Sequence, residues 1–195
     1  MYQKNIKRVI DLFISLLLLP ILIIFVLPVG IAIKLNDKGK IFYNGKRLGK
    51  NLKEFKMFKF RSMKENSVDK RNADGSTYNS SNDTRVTKVG KILRRTSIDE
   101  IPQVINVLRG EMSFVGPRPS PLGNIEKYPR YYFKKFEVSP GVTGLCQALL
   151  RNNATQEQRM QLDTFYAENI SFKLDIFIIY NTIFTVLFQK NIHRN

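Results

Sequence analysis

The chain has 195 residues, room for one domain and at most two. Its 32 Lys+Arg against 16 Asp+Glu leave a formal charge of +16, which excludes an acidic disordered chain and points to anionic partners: nucleic acid, phosphate-rich ligands or an anionic membrane. A 43% hydrophobic share supplies a core, a lone cysteine (Cys146) excludes an internal disulfide framework, and a lone histidine (His193) argues against a Ser-His-Asp triad, a His-based zinc site or a Cys-His nucleophile.

From Leu12 to Ile33 the chain runs 22 residues without a charge, a helix about 33 Å long and close to the hydrocarbon thickness of a bilayer. It is too long for a signal peptide's apolar region, and no small-residue cleavage site follows. A buried core helix is the soluble alternative. Lys4, Lys7 and Arg8 precede the run and Lys34, Lys38, Lys40, Lys46 and Arg47 follow it. The positive-inside rule therefore assigns both flanks to the cytoplasmic side, which a re-entrant hairpin satisfies and a straight span does not. Pro20 and Pro28 each remove an N–H and clash with the carbonyl four residues earlier, and either proline can form the bend.

Beyond the anchor, Phe55-Lys56-Met57-Phe58-Lys59-Phe60 predicts a short strand with its lysines on one face. The stretch from residue 64 to 87 is dominated by Ser, Asn, Asp, Lys and Arg and predicts a mobile polar loop. Lys91, Arg94 and Arg95 then lead into Thr96-Ser97-Ile98-Asp99-Glu100-Ile101-Pro102, and Ile101, Val104, Ile105 and Leu108 repeat at helical spacing. Ser97 with Glu100 matches a capping box, so helix initiation accounts for the acidic pair, although Pro102 fits the interior of that helix poorly. The functional alternative is that adjacent carboxylates beside several cations suit a divalent metal and a phosphorylated substrate, one carboxylate acting as nucleophile.

Gly116-Pro117-Arg118-Pro119-Ser120-Pro121 carries three prolines in five residues. They stiffen the backbone and preset the direction of Arg118, as a phosphate or carboxylate fork requires; a structural turn with a solvated arginine is the alternative. Ser139 to Gly144 is a Pro-Gly turn signal. Ile176 to Phe188 is uncharged but, at 13 residues, too short to span; it reads either as an interfacial helix, with Lys190 and Arg194 beyond its end, or as a core-packed one.

Together these blocks resemble the bacterial monotopic phosphoglycosyl transferases, the bacterial sugar transferase family. The resemblance rests on a basic N-terminus with an apolar hairpin, Lys59-Phe60-Arg61-Ser62-Met63, Thr96 to Glu100, Gly110 to Pro119, Pro140-Gly141-Val142-Thr143-Gly144 and Ile170-Ser171-Phe172. It runs from about Tyr2 to about Leu187, and the Asp-Glu and Gly-Pro-Arg-Pro blocks are its specific part. It implies a mostly helical α+β fold: a re-entrant membrane hairpin over residues 1–36, and a cytosolic catalytic body over residues 37–195 with membrane-surface helices. The implied reaction moves a phospho-sugar from a UDP-sugar to undecaprenyl phosphate at the cytoplasmic face of the bacterial inner membrane, releasing UMP and using magnesium, through a ping-pong scheme. The product would feed downstream glycosyltransferases, with no role for nucleic acid.

By that resemblance Asp99 is the nucleophile that forms a phosphoglycosyl-aspartate, and Glu100, with Asp99, holds Mg2+. Lys59, Arg94, Arg118, Gln147 and Arg151 are the implied substrate-binding residues. The chain departs from the family pattern where Leu19-Pro20 and Leu27-Pro28 replace a Ser-Pro bend, where Ser139 replaces an arginine, and where Leu145-Cys146-Gln147 replaces Trp-Ala-Gln. A basic, membrane-tethered scaffold or binding protein without catalysis is the competing class, although no helix-turn-helix, zinc-finger or aromatic stacking signature supports a nucleic-acid binder.

Overall fold

The computed structural model describes residues 2–188 apart from 69, 71, 73–77, 79, 81 and 124; the side chains of Lys4 and Asn152 also lie outside the description. His193, Lys190 and Arg194 fall beyond the described residues, as does much of the expected polar loop. The base of that loop is described: Met63 and Val86 form an isolated antiparallel bridge, and Lys64 N donates to Arg85 O at 2.8 Å.

A π-helical turn at Tyr2–Ile6 leads into α1 (Lys7–Asp37), a single helix of 31 residues that contains both prolines without interruption. The two arms expected from the sequence are thus one continuous helix. α1 is two-faced. Asp11, Ser15, Leu22, Val29 and Ile33 are buried at four- and seven-residue spacing, the periodicity of one helical stripe. The opposite face leaves Phe13, Leu16, Ile23, Ile24 and Leu27 exposed.

The buried stripe shares a core with Phe60 and Leu93, flanked by Ile98, Ile101 and Ile105, so α1 packs against the body along one face. Its ends are also tied down. Arg8 Nη1 and Nη2 donate to the carbonyls of Val107 and Leu108 at 2.5 and 2.9 Å. At the other end Asp37 pairs with Arg61, whose Nη1 lies 2.6 Å from Asp37 Oδ2.

β1 (Phe42–Leu48) and β2 (Glu54–Phe60) form an antiparallel hairpin with Phe42 opposite Phe60 and Leu48 opposite Glu54. β4 (Ser120–Pro121) adds to the free edge of β1. In β2, Phe55 and Met57 are buried, and Lys59 follows on their parity. Lys56 and Lys59 therefore point to opposite faces, correcting the expectation that they share one: three residues along a strand is an odd step.

α2 (Lys88–Thr96) is capped by Thr87, whose Oγ1 accepts from Gly90 N at 2.9 Å. Ser97 adopts the left-handed conformation (φ 59°) as its C-cap, a 3-10 turn follows at Ile98–Glu100, and α3 spans Gln103–Leu108. The capping box expected from Ser97 and Glu100 is absent: Ser97 joins α2 to the 3-10 turn in the left-handed conformation, and its side chain makes no cap bond there.

β3 (Ser113–Val115) and β5 (Gly141–Thr143) pair in parallel, Val115 opposite Thr143. The Pro-Gly segment read as a turn thus supplies a strand. The remaining helices are α4 (Leu145–Leu149), α5 (Gln156–Glu168) and α6 (Phe172–Leu187). The fold is mixed α and β and mostly helical.

Candidate active site

Chain reversals bring the charged blocks together. The parallel register of β3 and β5 sends both strands out on the same side, so Arg118 and Gln147 follow neighbouring strand ends. Two glycines make the approach possible: a Cβ on Gly141 would lie 2.1 Å from Gly116 N, and one on Gly144 would lie 2.2 Å from Gly116 O. Only glycine allows backbones so close. The left-handed turn at Ser97 separates α2 from the 3-10 turn that carries Asp99 and Glu100.

One cavity of about 770 Å3 results, and Lys59, Arg94, Asp99, Glu100, Arg118, Gln147 and Arg151 all line it. Every site residue expected from the sequence is therefore in one place. Leu18 and Ile21 of α1 and Thr182, Thr185 and Val186 of α6 form apolar or weakly polar parts of the same wall.

Asp99 is 7% exposed and makes no side-chain hydrogen bond among the described residues. Burial pushes its carboxyl up to about 6, against the pull of Lys59, Arg94 and Arg118 and with the neighbouring Glu100 charge adding to the rise. Glu100 has the opposite fate. Burial raises it too, but Lys59, whose Nζ lies 2.5 Å from Glu100 Oε1, and Arg118, 3.9 Å away, outweigh that and hold it below its usual value. The pair is thus electrostatically divided, as in sites where two carboxylates take different tasks.

The cations are fixed to different degrees. Arg94 is half-buried, which pulls its guanidinium below its ordinary value, and its Nε donates to Ser62 Oγ at 2.9 Å. Arg151 Nη2 lies 3.4 Å from Ser97 Oγ. Arg118 remains 41% exposed in its side chain, but its backbone is pinned: Lys135 Nζ donates to Arg118 O at 2.8 Å. Lys135 also reaches Tyr132 Oη (2.7 Å) and Asp163 Oδ2 (3.0 Å).

The Lys135–Asp163 pair and Arg159, another cavity residue, were not identified from sequence. They lie in segments without a local motif, and only the approach of α5 to the 3-10 helix Arg130–Glu137 brings them to the site. Among the described residues no group of three or more His, Cys, Asp or Glu side chains gathers as a metal cage. Asp99 and Glu100 offer two adjacent carboxylates, a set that suits Mg2+ when substrate phosphates and water complete its shell.

The sequence profile described as bacterial sugar transferase matches residues 2–189. An Aeromonas hydrophila protein named UDP-N-acetylgalactosamine-undecaprenyl-phosphate N-acetylgalactosaminephosphotransferase is 34% identical over 93% of this chain and 44% of its own length. The exopolysaccharide production protein ExoY of Sinorhizobium fredii is 38% identical over 94% of this chain and 86% of its own. The UDP-glucose:undecaprenyl-phosphate glucose-1-phosphate transferase of Klebsiella pneumoniae is 38% identical over 95% and 41%. The chain thus spans under half the length of the Aeromonas and Klebsiella relatives and most of ExoY. Together with a profile match over nearly its whole length, this makes the chain a member of the bacterial sugar transferase family, an enzyme of the sugar-phosphate transferase class.

Proposed function

We propose that this chain transfers a phospho-sugar from a UDP-sugar to undecaprenyl phosphate, through a covalent phosphoglycosyl-Asp99 intermediate, at the cytoplasmic face of the bacterial inner membrane. One observation carries the reading. A buried carboxylate without a hydrogen-bond partner among the described residues stands among four cations, in a cavity whose wall includes two residues of the exposed apolar helix. Names among the relatives supply the substrate classes.

In the first half-reaction an Asp99 carboxylate oxygen attacks the β-phosphorus. The bond from that phosphorus to the bridging oxygen breaks, and UMP leaves with the electron pair. In the second, a phosphate oxygen of undecaprenyl phosphate attacks the same phosphorus, the Asp99 O–P bond breaks, and the carboxylate is restored. An anion attacks a diphosphate only where cations offset the repulsion, and Lys59, Arg94, Arg118 and Arg151 meet that need. Asp99 and Glu100 would hold a magnesium ion, which when bound would offset charge on the diphosphate and the departing UMP.

The exposed face of α1 enters the cytoplasmic leaflet while both ends of the helix stay on the cytoplasmic side. Support comes from its two ends, each bonded to the same body through Arg8 and Asp37. The product serves glycan assembly.

The test is UMP release from a panel of UDP-sugars with undecaprenyl phosphate and magnesium, by the wild type and Asp99→Asn. Mass spectrometry of the wild type with donor alone should find the chain heavier by one phospho-sugar. Release that survives Asp99→Asn would sink the mechanism, and a folded, membrane-bound protein inert towards every donor would favour the scaffold reading.

A further inference from the structure

The back wall of the cavity carries polar atoms that the phosphoryl chemistry leaves unused. Both amide atoms of Gln147, Nε2 and Oε1, are buried without a hydrogen-bond partner among the described residues, and so is Nε of Arg159. Both residues line the 770 Å3 cavity. Gln147 stands on α4 and Arg159 on α5, and these helices pack together.

A buried amide lacking both its donor and acceptor partners is costly to keep, and native interiors rarely do so without a reason. Its surroundings offer no relief. The neighbouring Lys135 is saturated by Arg118 O, Tyr132 and Asp163, and the thiol of Cys146, also on this wall, is pushed up to about 11 by burial. A primary amide presents an N–H donor beside a carbonyl acceptor in one plane. Its complement is another planar N–H/C=O edge.

We propose that Gln147 and Arg159 form a subsite for a planar amide-type edge of the donor substrate, Gln147 pairing with its N–H and C=O and Arg159 adding a second donor. The assignment rests on the UDP-sugar reading above. One part of such a donor carries this chemistry: the imide edge of the uracil base, where N–H and C=O lie side by side, whereas those of a trans acetamido group point in opposite directions. The phosphates offer only acceptors and lack such an edge.

Binding of UMP, UDP-glucose and UDP-N-acetylglucosamine is measured by equilibrium dialysis on the full chain in detergent with magnesium. An Asp99→Asn background prevents turnover. Gln147→Met removes both amide atoms at similar volume; Gln147→Glu keeps the shape and removes the donor, and is available should the first variant fold poorly. We expect affinity to fall roughly 10- to 100-fold, the range for a lost buried hydrogen-bond pair. If the subsite reads the base, all three ligands weaken together. Weakening of UDP-N-acetylglucosamine alone would place the contact at the sugar and overturn the assignment to a planar edge. Because the amide is unpartnered in the free protein, Gln147→Met should also raise Tm, which a purely structural glutamine would lower. Affinities within twofold of the parent for all three ligands in both variants would overturn the subsite and leave the transferase reading intact. A parent that binds none of the three would overturn both.

Discussion

Lys59 Nζ, near the end of β2, lies 2.5 Å from Glu100 Oε1 in the 3-10 turn after α2. This one contact decides how the acidic pair divides its charge. It holds Glu100 ionised beside an Asp99 whose carboxyl burial has already raised, and so keeps cation density next to the proposed nucleophile.

Lys59→Met should therefore damage the site from both sides. Glu100 loses its partner while retaining only 23% side-chain exposure, and Asp99 loses the largest of its opposing attractions. We expect UMP release to fall by about 100-fold or more, the scale for removing one preorganised charge at a phosphoryl centre. A rate within threefold of wild type, in protein that melts normally, would refute this role.

Asp99 makes stability depend on pH in a defined direction. Its folded value of about 6 lies above the ordinary 3.8, so the proton is bound more tightly in the folded chain. The associated stability is fully present below about 4 and is lost as pH rises through about 6. In metal-free detergent, wild type should lose stability relative to Asp99→Asn over that window, by up to about 3 kcal/mol at pH 7. Thermal melts of both proteins at pH 4 and pH 7 check it: parallel curves would contradict the raised carboxyl.

The Lys135–Asp163 pair is a separate matter, because both side chains are nearly inaccessible, at 4% and 1%. Removing one partner strands a buried charge. Asp163→Asn or Lys135→Met should cost about 3–5 kcal/mol and lower the melting temperature accordingly. Since Lys135 also anchors the Arg118 carbonyl, any surviving protein should show a raised KM for the nucleotide donor before kcat suffers.

The two faces of α1 predict opposite results for the same substitution. Ile24 and Leu27 are 69% and 70% exposed, whereas Val29 is 8% exposed and packed in the body's core. Ile24→Asp with Leu27→Asp should release the protein from anionic vesicles without lowering its melting temperature. Val29→Asp should unfold it. For the same reason deleting residues 1–33 removes Leu22, Val29 and Ile33 from the core, and should give aggregated protein instead of a soluble catalytic body. Flotation and melting of each variant distinguish these cases.

A Cβ at Gly116 would fall 2.4 Å from Ser139 O, with Gly141 N at 2.7 Å. Gly116→Ala must spread β3 from β5 and shift Arg118 away from Glu100. We expect a melting temperature lower by several degrees and reduced nucleotide affinity; unchanged affinity would show that Arg118 is positioned by other contacts.

Much of this molecule was legible in the chain itself. The uncharged run from Leu12 to Ile33 dictates a long apolar helix because it leaves no charge to solvate, and the blocks around Asp99 and Arg118, ambiguous by residue type alone, carry the family resemblance that implies phosphate chemistry. Strand and helix periodicities locate β2 and α3, since burial on one face leaves a local trace. What the chain could not declare were relations between distant segments. The capping box at Ser97 was a sound local inference, undone because Ser97 takes the left-handed C-cap of α2. Pairing of β3 with β5 turned a Pro-Gly turn signal into a strand. Lys135, Asp163 and Arg159 carry no motif, and they matter only because α5 packs where it does. Local pattern records which face of an element is apolar, but which charges meet depends on how the elements are packed, and that was decided by tertiary structure alone.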